Sequence, residues 1–164
     1  MSEFHFESIR EGFPEQLTQK KALWIWNADK IPPHIGISLG KEYFSLTYRK
    51  SEYLQVVSMV KRAKRSKIPL VLVEFSAELT SGELTRVFSK YERAIDGITC
   101  LHPIREVLRL DAHANQLADL LTLLKSNDRI NRVHGLNLPE VYTGIPDYSV
   151  KDILNWIYFL NNNI

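Results

Sequence analysis

The chain has 164 residues, of which 45% are hydrophobic and 24% are charged, and its formal net charge is +2. This length and composition exclude a disordered or fibrous chain and predict one globular domain over residues 1–164. The chain has 21 Lys and Arg and 19 Asp and Glu, so the charges nearly cancel. The chain as a whole therefore has no strong electrostatic field that would attract nucleic acid or an anionic membrane.

The first predicted element is a buried strand that follows an irregular start. Residues 1–20 are predicted to form a lead-in segment that is irregular or partly helical. Residues 22–26, Ala-Leu-Trp-Ile-Trp, form an apolar and aromatic run that is typical of a buried strand. Residues 27–33 contain two prolines and are predicted to form a loop.

The alternation of apolar and polar residues from position 34 onward predicts a β-hairpin with Gly40 and Lys41 as its turn. This turn keeps apolar residues opposite each other, whereas a shift by one residue would lose the match. The predicted pairs are Leu39–Glu42, Ile37–Phe44, Gly36–Ser45, Ile35–Leu46 and His34–Thr47. In that register the His34 imidazole shares one face of the hairpin with the hydroxyls of Ser45 and Thr47.

A helix is predicted to follow the hairpin, with Ser51 as its N-cap. Its apolar stripe has helical spacing and consists of Tyr53, Val56, Val57 and Val60. The basic residues between positions 61 and 67 complement the negative C-terminal end of such a helix. Since no aromatic side chains are interleaved for base stacking, this stretch does not predict nucleic-acid binding.

The middle of the chain predicts another strand and another helix. The strand is placed at residues 70–75, and residues 80–83 read as a capping box that begins the helix. The predicted inward residues of this helix are Leu84, Val87, Phe88, Tyr91 and Ile95. Gly97 is placed at its C-terminal end.

The last third of the chain predicts three more helices. Pro103 is expected in the first turn of a short helix through Leu110, with Cys100 just before it. Asp111 is expected to cap a further helix, and Ser149 to begin the last one, through Phe159. The second of these helices carries Leu117, Leu120, Leu121 and Leu124. Residues 129–148 are predicted to be mostly loop, and the tryptophans Trp24, Trp26 and Trp156 are predicted to lie in the core.

These elements together predict an α+β fold, in which a small and mainly antiparallel sheet is packed by helices. The start of the chain lacks the basic-then-apolar pattern of a signal peptide. The longest apolar run, residues 68–73, is far shorter than the roughly 20 residues that span a bilayer. A single cysteine cannot form an internal disulfide, so the sequence predicts a cytoplasmic protein without a membrane span.

Cys100 and His34 are the candidate working pair. A thiol becomes a nucleophile when a helix N-terminus or an imidazole favours its thiolate form. The sequence predicts both for Cys100, the start of a helix and the imidazole of His34. Ser45 is the predicted third catalytic residue, which would orient the imidazole, with Thr47 in the same position to do so. His102 is an alternative base, and a packed cysteine beside a satisfied polar histidine is the structural alternative. No cofactor is predicted, and His5, His113 and His134 lack metal-ligand spacing.

Residues 33–44, Pro-His-Ile-Gly-Ile-Ser-Leu-Gly-Lys-Glu-Tyr-Phe, resemble the strand that carries the catalytic histidine in papain-like families. Those families are the NlpC-type peptidases, the lecithin retinol acyltransferase group and the PPPDE peptidases. In the last two groups the order is permuted, with histidine first and cysteine later at a helix start, and here Cys100 follows His34 by 66 positions. The resemblance covers residues 22–103 and implies a permuted papain-like fold.

The resemblance also implies an activity. It predicts a cysteine hydrolase that cleaves an amide, isopeptide or ester bond, or transfers an acyl group, with a peptide, a protein conjugate or an acyl compound as substrate. Cys100 would attack the carbonyl, His34 would serve as base and then acid, and N–H groups near residues 100 and 101 would stabilise the oxyanion. The sequence Thr99-Cys100-Leu101-His102 lacks the Asn-Cys-rich pattern of those families. The alternative is therefore a non-catalytic interaction domain that keeps the fold.

Overall fold

The computed structural model describes residues 3–110 and 113–163 as a mixed α/β structure built around one sheet. The first strands are short, and a 3-10 turn at Leu17–Gln19 precedes the long ones. The strands are β1 (Phe4–His5), β2 (Arg10–Glu11), β3 (Lys21–Trp26), β4 (His34–Leu39), β5 (Glu42–Leu46), β6 (Ser51–Gln55), β7 (Leu70–Phe75), β8 (Ile130–Leu136) and β9 (Gly144–Ile145). The helices are α1 (Val56–Ser66), α2 (Ser81–Phe88), α3 (Leu101–Val107), α4 (Leu117–Ser126) and α5 (Val150–Asn162).

Seven of these strands form one mostly antiparallel sheet in the order β2-β8-β7-β3-β4-β5-β6, with β2 and β8 paired in parallel. β1 and β9 pair separately. This confirms the predicted mixed fold with a mainly antiparallel sheet packed by helices. The two short strands β1 and β2 lie within the segment that was predicted as an irregular or partly helical lead-in.

The two faces of the sheet bury different residues. One face packs beneath α1 and is rich in aromatic side chains, with Trp24, Trp26 and Tyr43 among its buried members. Both indole N–H groups are satisfied there, by Ser38 Oγ at 2.8 Å from Trp24 and by Tyr43 Oη at 2.8 Å from Trp26. The other face is mainly aliphatic, with some Phe and Tyr side chains, and its core cluster includes residues of α2, α3, α4 and α5.

The predicted hairpin is β4–β5, and its turn is Gly40-Lys41, with Gly40 at φ +60°. The pairs Leu39–Glu42, Ile37–Phe44 and Gly36–Ser45 are confirmed. The outer two predicted pairs are wrong, because the β4–β5 ladder ends at Gly36–Ser45. Beyond that point Leu46 pairs with Ser51 of β6, and Thr47 closes a turn with Lys50.

The predicted helix start at Ser51 is wrong, because residues Ser51–Gln55 are the edge strand β6 and the helix begins at Val56. Tyr53 stands opposite Phe44 in the ladder, and the two rings pack edge-on at 5.0 Å. Tyr53 and Val57 are therefore exposed rather than inward. The residues of α1 that are buried are Val56, Met59 and Ala63.

α2 has the predicted start, since the Thr80 hydroxyl accepts the Glu83 N–H at 3.1 Å, and its buried residues are Leu84, Val87 and Phe88. The predicted extension through Tyr91 and Ile95 is wrong, because the helix ends at Phe88. The following segment instead binds the end of the hairpin: Ser51 N–H donates to the Glu92 carbonyl, and Ala94 N–H to the Thr47 carbonyl. These two hydrogen bonds hold residues 92–94 against the end of β5 and the start of β6.

The remaining predictions have mixed outcomes. The short helix around Pro103 is confirmed as α3, although it ends at Val107 rather than at Leu110. The four leucines predicted for α4, Leu117, Leu120, Leu121 and Leu124, are buried. The predicted cap Asp111 lies outside the described residues, and α4 begins after Gln116. The α5 start at Ser149 is confirmed, with both arms of its capping box formed. The loop predicted for residues 129–148 is wrong at β8 and at the short strand β9. β8 pairs with β7 next to the edge strand β2, where Asn131 and Arg132 are tolerated.

Candidate functional site

His34 is the first residue of β4, and it lies opposite Trp26, the last residue of β3. Its side chain is partly buried. Because β4 pairs with β5 only as far as Gly36–Ser45, the two strands diverge around His34 and Ile35. This divergence opens a space at the end of the hairpin, beside the imidazole.

Cys100 immediately precedes α3 and occupies its N-cap position. The thiol is free and partly buried, and it packs against the aliphatic core. The Ala94–Thr47 hydrogen bond holds the segment before Cys100 against the end of β5. Backbone N–H groups of Ile35 and of Cys100 itself lie close enough to the sulfur to act to lower the pKa of the thiol. The thiol therefore lies beside the first peptide units of the strand that carries His34.

Cys100 and His34 line one cavity of about 240 Å³, which is called the thiol cavity below. Its other walls are largely apolar. The strands and loops contribute residues such as Pro32, Pro33, Leu46 and Ala94, and α5 contributes Ile153, Trp156, Ile157 and Leu160. None of its lining residues in the described part of the chain is Asp, Glu, Lys or Arg. The structure thus brings the two principal predicted residues to the same apolar cavity.

The two groups are both neutral at rest. Burial raises the pKa of the Cys100 thiol from 9.0 to about 11, in spite of the two backbone N–H groups. Burial, assisted by the positive charge of Arg62, lowers the pKa of His34 from 6.5 to about 4. Loss of water disfavours the charged form of each group, which explains both directions. The expectation that the helix start and the imidazole favour a resting thiolate is therefore wrong.

His34 also lines a second cavity, of about 190 Å³, which is called the polar cavity below. Ser45 is completely buried at this cavity, and its hydroxyl has no hydrogen-bond partner. Burial raises the pKa of Tyr43, and Ser45 lies near enough to the Tyr43 oxygen to oppose part of that rise, but the geometry does not complete a hydrogen bond. An unpartnered buried hydroxyl costs about 1–3 kcal/mol. Ser45 thus retains a free hydrogen-bonding group on the His34 side of the sheet.

Thr47 does not serve as the orienting residue. Its hydroxyl donates to the Lys50 carbonyl at 3.0 Å and accepts the N–H groups of Arg49 and Lys50. These three bonds occupy the hydroxyl within its own turn. Of the two predicted orienting residues, only Ser45 keeps a hydroxyl that is free to interact.

The groups around the start of α3 correct two expectations. The Leu101 N–H, predicted as an oxyanion donor, already donates to the Thr99 hydroxyl at 3.2 Å. His102, the alternative base, accepts the Thr99 N–H on its Nδ1 at 2.9 Å. Burial and the nearby Arg105 lower the pKa of His102. Its ring thus caps the helix start, and the amides of Cys100 and Ile35 are the N–H groups directed at the sulfur.

Trp156 corrects the prediction that the three tryptophans lie in the core. Trp24 and Trp26 are buried, but Trp156 is 47% exposed and lines the thiol cavity. Sequence reasoning missed this wall of the cavity. The residues Ile153, Trp156, Ile157 and Leu160 have helical spacing, which predicts an apolar face but does not say what that face covers.

Among the described residues, no three His, Cys, Asp or Glu side chains come together as metal ligands. Within the same ranges, no helix has the length and hydropathy needed to cross a membrane. Comparison of the chain with protein-family models, curated proteins and solved structures found no match. The site's chemistry is therefore argued from its own geometry.

Proposed function

We propose that this protein is a permuted papain-like thiol hydrolase or acyltransferase, with Cys100 as nucleophile and His34 as its base. The observation that carries the proposal is that both side chains line the thiol cavity, although they are 66 positions apart in the chain. The cysteine precedes a helix and the histidine begins a strand of a mostly antiparallel sheet. This arrangement supports the resemblance of residues 33–44 to papain-like enzymes.

The neutral resting pair supports general-base activation. As the Cys100 sulfur attacks an acyl carbonyl, a C–S bond forms and His34 takes the thiol proton. The amides of Ile35 and Cys100 are the donors proposed to stabilise the oxyanion. His34 then gives its proton to the leaving nitrogen or oxygen, and the bond from that atom to the carbonyl carbon breaks. Water or an acceptor hydroxyl or amine releases the acyl group from the sulfur by the reverse proton path.

Ser45 is proposed to orient the imidazole from the polar cavity, either directly or through water. Its unpartnered hydroxyl supports this role, because a buried hydroxyl without a partner keeps both a donor and an acceptor for the imidazole. The bond cleaved is an amide, isopeptide or ester bond, and the substrate is a peptide, a protein conjugate or an acyl compound. This set of roles is proposed to act without a cofactor.

A second candidate function is a non-catalytic interaction domain. The observation that favours it is the strong desolvation of both groups, which raises the pKa of Cys100 and lowers the pKa of His34. A buried thiol of that kind is inert unless the imidazole takes its proton during the reaction.

An activated ester distinguishes the two functions. The parent protein is mixed with p-nitrophenyl acetate, and p-nitrophenol release is followed together with the intact mass of the protein. We expect an initial burst and an acetyl adduct on Cys100, both absent in Cys100→Ala and strongly reduced in His34→Ala. Release at the same rate in parent and Cys100→Ala, without an adduct, would favour the interaction domain.

A further inference from the structure

The thiol cavity differs from the polar cavity in chemistry, and the difference bears on the substrate. Its wall contains a continuous apolar face of α5, made of Ile153, Trp156, Ile157 and Leu160. α5 lies outside residues 22–103, so this wall is not part of the resemblance to papain-like enzymes. The carbonyl that Cys100 attacks would therefore carry its substituent into an apolar space.

The cavity is poorly suited to a peptide backbone. Each peptide unit brings an N–H and a C=O that need partners when they leave water. Among the described residues, no charged side chain lines the cavity. Of its two lining hydroxyls, that of Thr47 is already bonded within its own turn, and that of Tyr48 accepts the Nε–H of Arg49 at 2.9 Å. An aliphatic chain has no such groups to satisfy, and its transfer to this surface is favourable.

The volume of the thiol cavity limits the size of the apolar group that can enter it. A dry apolar cavity of roughly 150 Å³ binds benzene, so a cavity of about 240 Å³ accepts an apolar group of about six to nine carbon atoms. Trp156, which lines the cavity, stacks with Phe159 outside it, with ring centroids 5.5 Å apart, and both side chains are about half exposed. These rings extend the apolar surface outward along α5 and give a longer chain a path out of the cavity.

We infer that the substrate is an aliphatic acyl compound, an ester or thioester whose acyl chain lies along α5 in the thiol cavity. This inference rests on the proposed function, because it names the group joined to the carbonyl that Cys100 attacks. The acyl group passes to the Cys100 sulfur, and the alcohol or thiol leaves with the proton from His34. No oxidant or further reactant is needed for that step.

A series of p-nitrophenyl esters from acetyl to dodecanoyl tests the inference. The rate of acylation of Cys100 is expected to rise roughly three- to fourfold for each methylene that enters the cavity, up to about eight carbons. Ile157→Trp, which fills the cavity, should lower the octanoyl-to-acetyl rate ratio at least tenfold. Tyr158→Trp is the matched control, because Tyr158 is 71% exposed on the same helix and does not line the cavity. Trp156→Ala is a second variant that should also lower the ratio.

Two results would overturn the inference: equal acylation by all chain lengths, or faster acylation by N-acetyl-leucine p-nitrophenyl ester than by the octanoyl ester. Binding is measured separately from acylation by adding octanamide to the Cys100→Ala protein. The fluorescence of Trp156 reports binding, and a Trp156→Phe protein is the reference. If octanamide binds and acetamide does not, while no ester acylates the parent, the apolar site stands and the proposed hydrolase fails. If neither amide binds and no chain length is preferred, the acyl site itself is refuted.

Discussion

The backbone N–H of Ile35 lies close enough to the Cys100 sulfur to act against the rise in the pKa of the thiol that burial causes, so the thiol lies beside the residue that follows His34 in β4. This contact depends on the early end of the β4–β5 ladder at Gly36–Ser45. Had the ladder continued, as the hairpin pattern predicts, strand pairing would have extended past Ile35 to His34. The opening between the strands is thus what brings a helix start and a strand start together.

The first prediction compares two completely buried serines of the hairpin. Ser38 accepts the Trp24 indole N–H, whereas the Ser45 hydroxyl has no partner. Ser38→Ala should lower the free energy of unfolding by about 1–3 kcal/mol, because it leaves a buried N–H unsatisfied. Ser45→Ala should leave the free energy of unfolding unchanged or raise it by up to about 1–3 kcal/mol, because it removes a buried hydroxyl that has no partner. Urea unfolding followed by tryptophan fluorescence measures both. Equal losses in the two variants would mean that Ser45 has a structural partner.

The same pair of variants tests the orienting role of Ser45. Ser45→Ala should slow acylation of Cys100 roughly three- to tenfold, a part of the roughly 10²–10⁴-fold that a positioned base contributes. The pH at which acylation falls on the acid side should also shift, since the imidazole loses a hydrogen-bonding neighbour. Acylation kinetics across pH measure this, with Ser38→Ala as the reference. An unchanged rate and pH profile in Ser45→Ala would remove Ser45 from the site.

The second prediction concerns the glycine of the His-Ile-Gly motif. A methyl group at Gly36 would overlap the hydroxyl end of the Tyr43 ring, which is buried across the strand. Gly36→Ala should therefore lower the free energy of unfolding by about 1–3 kcal/mol. Gly82→Ala in α2 is the matched control, because its new methyl would lie 3.8 Å from the Thr80 hydroxyl, an ordinary contact, and should stabilise the protein by about 0.4–1 kcal/mol. Thermal unfolding of both variants checks the opposite signs.

The third prediction is a pH dependence of stability. The pKa of His34 falls from 6.5 in the unfolded chain to about 4 in the folded protein, so between these values the unfolded chain binds the extra proton. The contribution of His34 to the free energy of unfolding is therefore fully present above pH 6.5 and is lost as the pH falls toward 4. The loss is about 1–3 kcal/mol after allowance for partial exposure. His34→Gln should remove this loss.

The buried groups His102 and His134 also have lowered pKa values and add their own losses in acid. The readout is therefore the difference between parent and His34→Gln in urea unfolding at pH 7, 6, 5 and 4.5. The difference should change with pH in favour of the variant. Parallel curves for the two proteins would contradict the buried, neutral His34.

Much of the fold follows from local patterns. The strands at β3, β4, β5 and β7 are predicted by apolar runs and alternation, and the starts of α2 and α5 by their capping residues. The elements that the sequence mispredicts lie near or at sheet edges. At β6 and β8, polar and charged residues interrupt the apolar pattern because one face or one edge meets water, so periodicity alone gives a helix or a loop.

Only part of the candidate site can likewise be predicted from the sequence. Residue types and order identify His34 and Cys100, and the structure places both at one cavity. The protonation states do not follow from sequence, because the helix start predicts a lowered thiol pKa while burial of Cys100 raises it. The α5 wall is likewise a tertiary feature, since the helical spacing of Ile153, Trp156 and Ile157 does not identify what packs against them.

The most direct test of the Cys100–His34 pair is the rate of iodoacetamide labelling of Cys100 between pH 3.5 and 9, in the parent and in His34→Ala. If His34 accepts the thiol proton, parent labelling should stay nearly constant from about pH 5 to 8 and fall as the pH approaches the His34 pKa of about 4. In His34→Ala, labelling should be slow and should rise about tenfold per pH unit, because the thiol pKa is about 11. Identical profiles in the two proteins would contradict the pair and favour the interaction domain.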